Sequence, residues 1–155
     1  MILRALETRL PPPLVALLVA LAMLASRLSP ERLPVGRPWR IGLAVALALA
    51  GLAIVLPAVR AFRRARTTVN PLRIEQASTL VTDGIFAVTR NPMYLGLALV
   101  LAGWAIGLGS AWAFLGPIAF VAFITRFQIV PEERLLEARF GEAFLSWRRR
   151  TRRWL

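Results

Sequence analysis

The chain has 155 residues, of which 57% are hydrophobic, and its 20 basic residues, all Arg, outnumber eight acidic ones to give a formal net charge of +12. A typical soluble domain is only about 45–50% apolar, so this composition is characteristic of a membrane protein. The chain contains no Cys and no His. This excludes disulfides, a thiolate nucleophile and the usual zinc sites, and we expect no metal.

A soluble protein with this charge would be expected to bind nucleic acid. The long apolar runs favour another partner, because Arg beside membrane spans follows the positive-inside rule and interacts with anionic headgroups. We therefore expect membrane lipids as partners and no nucleic acid.

Four apolar stretches follow one another along the chain, and a helix needs roughly 20 residues to cross the hydrocarbon core. They predict an all-α integral membrane protein, a single domain over residues 1–155 with an interfacial segment and a C-terminal amphipathic helix. A signal peptide is the alternative for the first stretch, but no clear A-x-A cleavage pattern follows it, so we expect a retained helix. The predicted spans are residues 10–27, 40–60, 93–109 and 111–130.

The connection between the last two spans is only Gly-Leu-Gly-Ser, which predicts a tight antiparallel hairpin. Six Arg lie between the second and third spans, and seven lie in the tail after the fourth. The positive-inside rule places both segments, and hence both termini, in the cytoplasm, with the plasma (inner) membrane of a prokaryote as the expected location. Four Arg in the first loop then lie on the opposite side and violate the rule: Arg27, Arg32, Arg37 and Arg40.

Two further segments are expected at the membrane surface. Residues 67–91 are too polar to cross and too apolar for a disordered linker, and turns are predicted at Asn70-Pro71 and Asp83-Gly84. The tail carries apolar residues at mostly helical spacing among Arg and Glu. It predicts an amphipathic helix that begins at Pro131 and lies in the headgroup plane.

The tripeptide Arg-Asn-Pro at residues 90–92 directly precedes Tyr94 and the third span. Taken alone, each residue has an ordinary structural explanation: Arg90 as an interfacial anchor, Asn91-Pro92 as a helix start and Tyr94 as an aromatic residue at the membrane interface. Glu132-Glu133 would likewise be the first turn of a helix. The hairpin, however, returns the chain to the membrane surface from which it left. The two motifs are therefore expected to be neighbours.

These two segments, TLVTDGIFAVTRNPMYLG at 79–96 and EERLLEARFGEAF at 132–144, resemble the isoprenylcysteine carboxyl methyltransferase and phospholipid methyltransferase superfamily of integral membrane enzymes. The resemblance covers roughly residues 67–155. It implies transfer of a methyl group from S-adenosyl-L-methionine (SAM) to a lipophilic or lipid-linked acceptor, a carboxylate or an amine, at the cytoplasmic membrane face. The product of the cofactor would be S-adenosyl-L-homocysteine.

The resemblance also implies a cofactor pocket built from residues 78–96 and 126–147. Its Glu would accept hydrogen bonds from the SAM ammonium, its apolar residues would wall the adenine, and its Asn and Tyr would orient the cofactor. The implied cofactor-binding residues are Ser78, Thr79, Leu80, Val81, Phe86, Asn91, Pro92, Met93, Tyr94 and Glu133.

Two departures from the family pattern concern the substrate. The usual His is Asn91, which does not titrate near neutral pH. The carboxyl methyltransferase branch has an Arg that binds the substrate carboxylate, and in this sequence that position is occupied by Ile129. Arg126, the only charge inside a predicted span, is the candidate for orienting the substrate, and snorkelling to the interface is the alternative.

The chemistry of the acceptor stays open. An ammonium acceptor must first lose a proton, and without His, Lys or Cys only Glu, Asp83 or Tyr94 could take it, which favours a carboxylate. The missing Arg at position 129 argues against a prenylcysteine. The sequence also does not distinguish a thiol acceptor from a carboxylate or an amine.

Two other functions are compatible with the sequence. One is an NADPH-dependent membrane reductase of the sterol or enone type, since those proteins share a similar C-terminal hairpin and a Pro-x-Tyr motif. The other is a non-enzymatic membrane protein whose Arg-rich tail binds lipid.

Overall fold

The structure is a computed structural model of the chain, and it describes Glu7 and residues 10–65 and 79–155. This part of the chain is helical, which confirms the all-α fold class. The helices are α1 (Pro12–Met23, extended by a 3-10 turn at Leu24–Leu28), α2 (Arg37–Arg64), α3 (Pro92–Leu108), α4 (Leu115–Ile124), α5 (Val130–Phe140) and α6 (Glu142–Arg150).

Each of the four apolar stretches is helical. Two helical runs of the described residues are long and apolar enough to cross a membrane, α2 and the run Ala111–Phe140, which includes α4 and α5. The other two apolar helices, Pro12–Leu28 and Pro92–Leu108, are shorter. Four helices in the places that the sequence indicates are consistent with the predicted architecture.

Helices α2 and α3 pack with direct backbone contact through glycines. A Cβ atom at Gly51 would lie 2.6 Å from the carbonyl oxygen of Gly96, and one at Gly103 would lie 2.7 Å from the carbonyl oxygen of Ala44. Small residues permit such an approach between helices in a membrane, where packing rather than water drives association. The order of the two contacts shows that α2 and α3 are antiparallel.

The predicted hairpin between the last two spans turns at Gly109. This residue ends α3 in the left-handed conformation (φ 71°), and its N–H bonds to the carbonyl oxygens of Ala105 and Ile106. Glycine adopts this conformation without the steric penalty of a side chain. A 3-10 turn (Ala111–Phe114) then leads into α4, which returns beside α3.

Pro131 lies in the first turn of α5, as expected, but α5 is not a separate helix. The helix runs through this residue without a break, from Ala111 to Phe140, and a π-helical turn (Thr125–Ile129) directly precedes α5. Proline lacks an N–H and crowds the preceding turn, and a π turn relaxes the hydrogen-bond ladder at that place. The break comes at Gly141 (φ 51°), so the predicted tail helix is two helices, α5 and α6.

The apolar face of α6 packs against the protein. Phe144 and Trp147 are buried, and together with Ala58, Val81 and Phe86 they form an apolar cluster at the end of α2, which we call the lower cluster. The Nε1 of Trp147 donates a hydrogen bond of 2.9 Å to the carbonyl oxygen of Phe86. Therefore α6 does not present these two aromatic residues to lipid, as a helix lying in the headgroup plane would.

The polar segment before α3 is described only from Thr79 onward. The predicted turn at Asp83-Gly84 is present, since the N–H of Phe86 bonds to the carbonyl oxygen of Asp83 (3.0 Å) and Gly84 has a φ of 58°. The predicted turn at Asn70-Pro71 and the candidate residue Ser78 lie outside the described residues.

Candidate active site

The two sequence motifs meet at one end of the bundle, where α3 and α5 begin. The hydroxyl of Tyr94 donates a hydrogen bond of 2.5 Å to Oε1 of Glu132. The Nη2 of Arg90 lies 2.8 Å from Oε1 of Glu133. The predicted proximity of residues 90–94 and 132–133 is therefore present in the structure.

Glu133 is bound by two guanidinium groups. Besides Arg90, Arg153 donates to both carboxylate oxygens of Glu133, from Nε to Oε1 (3.1 Å) and from Nη2 to Oε2 (2.6 Å). Two-pronged contacts of this kind are among the stronger hydrogen bonds in proteins. The hydrogen bonds to Glu133 raise the pKa of Arg153. The three residues, which we call the Glu133 cluster, carry a net charge of +1.

Residues 151–153 run beside residues 89–91 and hold the motif in place. The N–H of Arg90 bonds to the carbonyl oxygen of Arg152 at 3.0 Å, and the side-chain amide of Asn91 bonds to that of Arg153 at 2.9 Å. The guanidinium of Arg90 also donates to the carbonyl oxygens of Arg148 (3.2 Å) and Thr151. The C-terminal segment is thus part of the site.

Asn91 and Pro92 open α3 as predicted. Pro92 occupies the first turn, where its missing N–H breaks no helical hydrogen bond. The side chain of Asn91 does not cap the helix. It instead ties the motif to the C-terminal segment through its hydrogen bond to Arg153.

The residues expected to wall the adenine lie in or beside the lower cluster. Val81 and Phe86 are buried in it, and the ring of Phe86 packs edge-to-face on Phe62 with 5.0 Å between centroids. Leu80 and Met93 are half-buried against the same cluster. Two other candidates are not part of the lower cluster. Pro92 is fully buried at the start of α3, and Thr79 is exposed.

Arg126 lies in the π-helical turn with its side chain 46% exposed. Its Nη1 is 2.8 Å from Oε1 of Glu7, and its guanidinium lies 5.2 Å from the ring centroid of Phe127. Arg134 approaches the other oxygen of Glu7 at 3.7 Å. The arrangement gives Arg126 an ionic partner, while its predicted role toward a substrate stays a prediction.

Gln128 was not among the candidates from the sequence, and the structure buries it completely in the π-helical turn. Its Nε2 donates to the carbonyl oxygen of Leu10 at 2.6 Å, and its Oε1 has no hydrogen-bond partner within the described residues. π-Helical turns occur often at functional sites. The signal available in the sequence was a polar amide inside a predicted span. Three further residues bind candidate residues but were not predicted as site residues: Arg90, Glu132 and Arg153.

A family model described as phospholipid methyltransferase matches residues 39–143, which is more than half of the chain and includes both motifs. The chain belongs to the phospholipid methyltransferase family. This confirms the resemblance found in the sequence and implies methyltransferase activity. Together with the long apolar helices, family membership indicates an integral membrane protein.

A relative known from its sequence is much shorter. A protein of Haemophilus influenzae described as an uncharacterized protein is 44% identical over 63 residues, which are 41% of this chain and 100% of that protein. No solved structure matches the chain.

Proposed function

We propose that this member of the phospholipid methyltransferase family uses SAM and is similar to isoprenylcysteine carboxyl methyltransferase. It transfers a methyl group to a lipophilic or lipid-linked acceptor, a carboxylate or an amine. The observation that carries the proposal is the meeting of the Glu133 cluster with the Tyr94–Glu132 pair at one end of the bundle.

The Glu133 cluster fits the amino-acid end of SAM, which bears one ammonium and one carboxylate. Oε2 of Glu133 accepts one hydrogen bond within the described residues, and a carboxylate oxygen can accept two. The Nε of Arg90 is buried without a hydrogen-bond partner in the part of the chain that the structure describes. A cluster with one acceptor position, one unused donor and two cations suits a zwitterionic ligand.

The remaining candidates fit the rest of the cofactor. Leu80, Val81 and Phe86 belong to an apolar cluster that adjoins Met93, and aliphatic and aromatic side chains are the usual walls of a nucleoside pocket. The adenine would lie against this side of the site, and Tyr94 and Asn91 would orient the cofactor through hydrogen bonds.

The chemistry asks little of the side chains. When bound, SAM supplies a methyl group on a cationic sulfur, which is open to in-line attack by the acceptor. The chain contributes positioning and the exclusion of water. If the acceptor is an amine, Glu132, which accepts the hydrogen bond of the Tyr94 hydroxyl, is the carboxylate of the site that could take its proton, because Glu133 is already bound by two guanidinium groups.

The proposed location is the cytoplasmic face of a prokaryotic plasma membrane, with both termini in the cytoplasm. Residues 90–94 lie at the same end of the bundle as the lower cluster, which includes residues from the last turns of α2. The Arg residues of α6 and of the last two turns of α2 are exposed at this end, as expected for a cytoplasmic face: Arg60, Arg63, Arg64, Arg148, Arg149 and Arg150.

The decisive experiment is a titration of the purified protein in lipid nanodiscs with SAM, S-adenosylhomocysteine and NADPH, followed by calorimetry. We expect binding of the first two and none of NADPH. Binding of NADPH alone would identify a membrane reductase, and binding of none of the three would favour a non-enzymatic lipid-binding protein.

A further inference from the structure

The other end of the bundle carries the four Arg of residues 27–40, against a single acidic residue, Glu31. This loop is tied to the hairpin, since the N–H of Leu33 bonds to the carbonyl oxygen of Gly109 at 2.9 Å. Arg40 reaches the same place from α2: a Cβ atom at Gly109 would lie 1.2 Å from its Nη1, so the guanidinium rests directly on that glycine. The proposed methyltransferase function uses none of these residues.

Three polar atoms at this end are buried without a hydrogen-bond partner in the described ranges. They are the Nε of Arg40 and the hydroxyl oxygens of Ser110 and Ser26, and Ser110 is completely buried. Arg40 also has no ion pair within the described residues. Buried polar groups in proteins are nearly always paired, so this cluster lacks an acceptor, and the excess of Arg indicates an anionic one.

An apolar groove of about 330 Å³ lies beside this cluster, between α1 and α4. This volume is within the range of roughly 300–1,000 Å³ that is usual for small-molecule pockets. The lining of the groove runs from Trp112, in the 3-10 turn before α4, to Ala119, which is about 10 Å at the helical rise of 1.5 Å per residue. Its lining includes Val19, Met23, Ser26, Trp112, Leu115 and Ala119.

The groove and the cationic cluster are close enough to be occupied by one molecule. Ser26 belongs to both, and Trp112 is three residues from Gly109, which limits their Cα–Cα distance to about 11 Å. A ligand that fills the groove and also pairs with Arg40 must carry an anionic group joined to an apolar chain. An anionic phospholipid is such a molecule, and a membrane supplies it.

We propose that this end of the bundle binds an anionic phospholipid, with one acyl chain in the groove between α1 and α4 and the phosphate at Arg40. The hydroxyl groups of Ser26 and Ser110 provide donors beside the phosphate. The site lies on the membrane face opposite the methyltransferase motif. The lipid bound there is therefore not the methyl acceptor. It gives a physical reason for the four Arg that violate the positive-inside rule.

The test uses the purified protein and two lipids with identical acyl chains, dioleoylphosphatidylglycerol and dioleoylphosphatidylcholine. Native mass spectrometry would measure how much of each lipid the protein retains from detergent. One Arg near an anionic headgroup contributes about 1 kcal/mol, so we expect about fivefold preferential retention of phosphatidylglycerol. Equal retention of the two lipids would refute the proposal.

Two pairs of variants separate the headgroup from the acyl chain. Arg40→Gln is expected to abolish the preference, whereas Arg37→Gln, which changes an exposed Arg three residues earlier, should retain it. Ala119→Leu fills the groove and should lower retention of both lipids, whereas Ala122→Leu, at an exposed position of α4 outside the lining, should not. Circular dichroism confirms that each variant is folded.

A third arm distinguishes a lipid from a free anion. Soluble glycerol phosphate should not displace the lipid even in large excess, because it lacks the acyl chain. Displacement by glycerol phosphate, or identical behaviour of Ala119→Leu and Ala122→Leu, would show that the groove is not part of the site and would overturn the proposal.

Discussion

Glu132 and Glu133 are adjacent in sequence but have different partners. Successive residues of a helix point about 100° apart, so Glu132 meets Tyr94 of α3 while Glu133 meets Arg90 and Arg153. The family resemblance alone selected Glu133 as the cofactor ligand. The bare sequence could not separate the two, because the partner of each depends on how α5 is rotated against α3.

Glu133→Gln is predicted to lower the affinity for SAM by about tenfold to a hundredfold, because a hydrogen bond to a charged group is worth about 1.5–3 kcal/mol. Calorimetry measures the affinity, and circular dichroism checks the fold, since the substitution leaves two guanidinium groups without their carboxylate. Glu137→Gln is the matched control, because Glu137 is an exposed residue of α5 that pairs with Arg148. Equal, small effects of the two substitutions would remove Glu133 from the cofactor site.

Arg126→Met is predicted to leave SAM binding unchanged and to slow methyl transfer, if Arg126 orients an anionic group of the acceptor. The measurement is transfer from labelled SAM into a total membrane lipid extract. Arg134→Met is the control, since Arg134 also approaches Glu7 but lies in α5 and is exposed. Wild-type turnover that persists in Arg126→Met would assign Arg126 to its ion pair with Glu7.

At the scale of elements, α2 and α3 pack closely, and this packing depends on the absence of side chains at the contact. A Cβ atom at Gly96 would lie 2.3 Å from Cγ2 of Val55 and 2.7 Å from the carbonyl oxygen of Gly51. Such distances are too short for real contacts, and a carbonyl oxygen in a helix cannot move aside as a flexible side chain can. The two helices would have to separate.

Gly96→Ala is therefore predicted to lower the free energy of unfolding by about 1–3 kcal/mol, the usual range for overpacking. Thermal or denaturant unfolding in detergent measures the change. Gly107→Ala, in the same helix, is the control, because its Cβ would meet only Cβ of Ala44 at an ordinary 3.7 Å. If the two variants have the same stability, the glycine contact does not hold α2 against α3.

The elements that could be predicted are those encoded by local patterns. Apolar length located all four helices, and the short Gly-Leu-Gly-Ser connection predicted the hairpin and with it the meeting of the two motifs. The tail was correctly predicted to be helical, with Pro131 in the first turn of α5, but nothing local shows that a π-helical turn joins α5 to α4 without a break. Arg153 and Gln128 were missed because their roles arise from contacts with residues 20 and 118 positions away.

At the scale of the whole molecule, orientation in the membrane is a prediction from the distribution of Arg. The chain contains no Cys, so single cysteines can be labelled without background. Val35→Cys, in the exposed first loop, should react with a membrane-impermeant reagent added outside, and Glu142→Cys, at the exposed start of α6, only after the membrane is opened. The reverse pattern would invert the topology.

The pairing of residues 151–153 with residues 89–91 bears on how preparations of this enzyme should be judged. A protease that clips the chain after Arg150 would remove none of the six helices that the structure describes, so circular dichroism would be a poor test for this loss. The clipped protein would nevertheless lack Arg153 and the carbonyl oxygens that accept hydrogen bonds from the N–H of Arg90 and the side-chain amide of Asn91. An intact mass should therefore be recorded before any loss of SAM binding is attributed to a substitution.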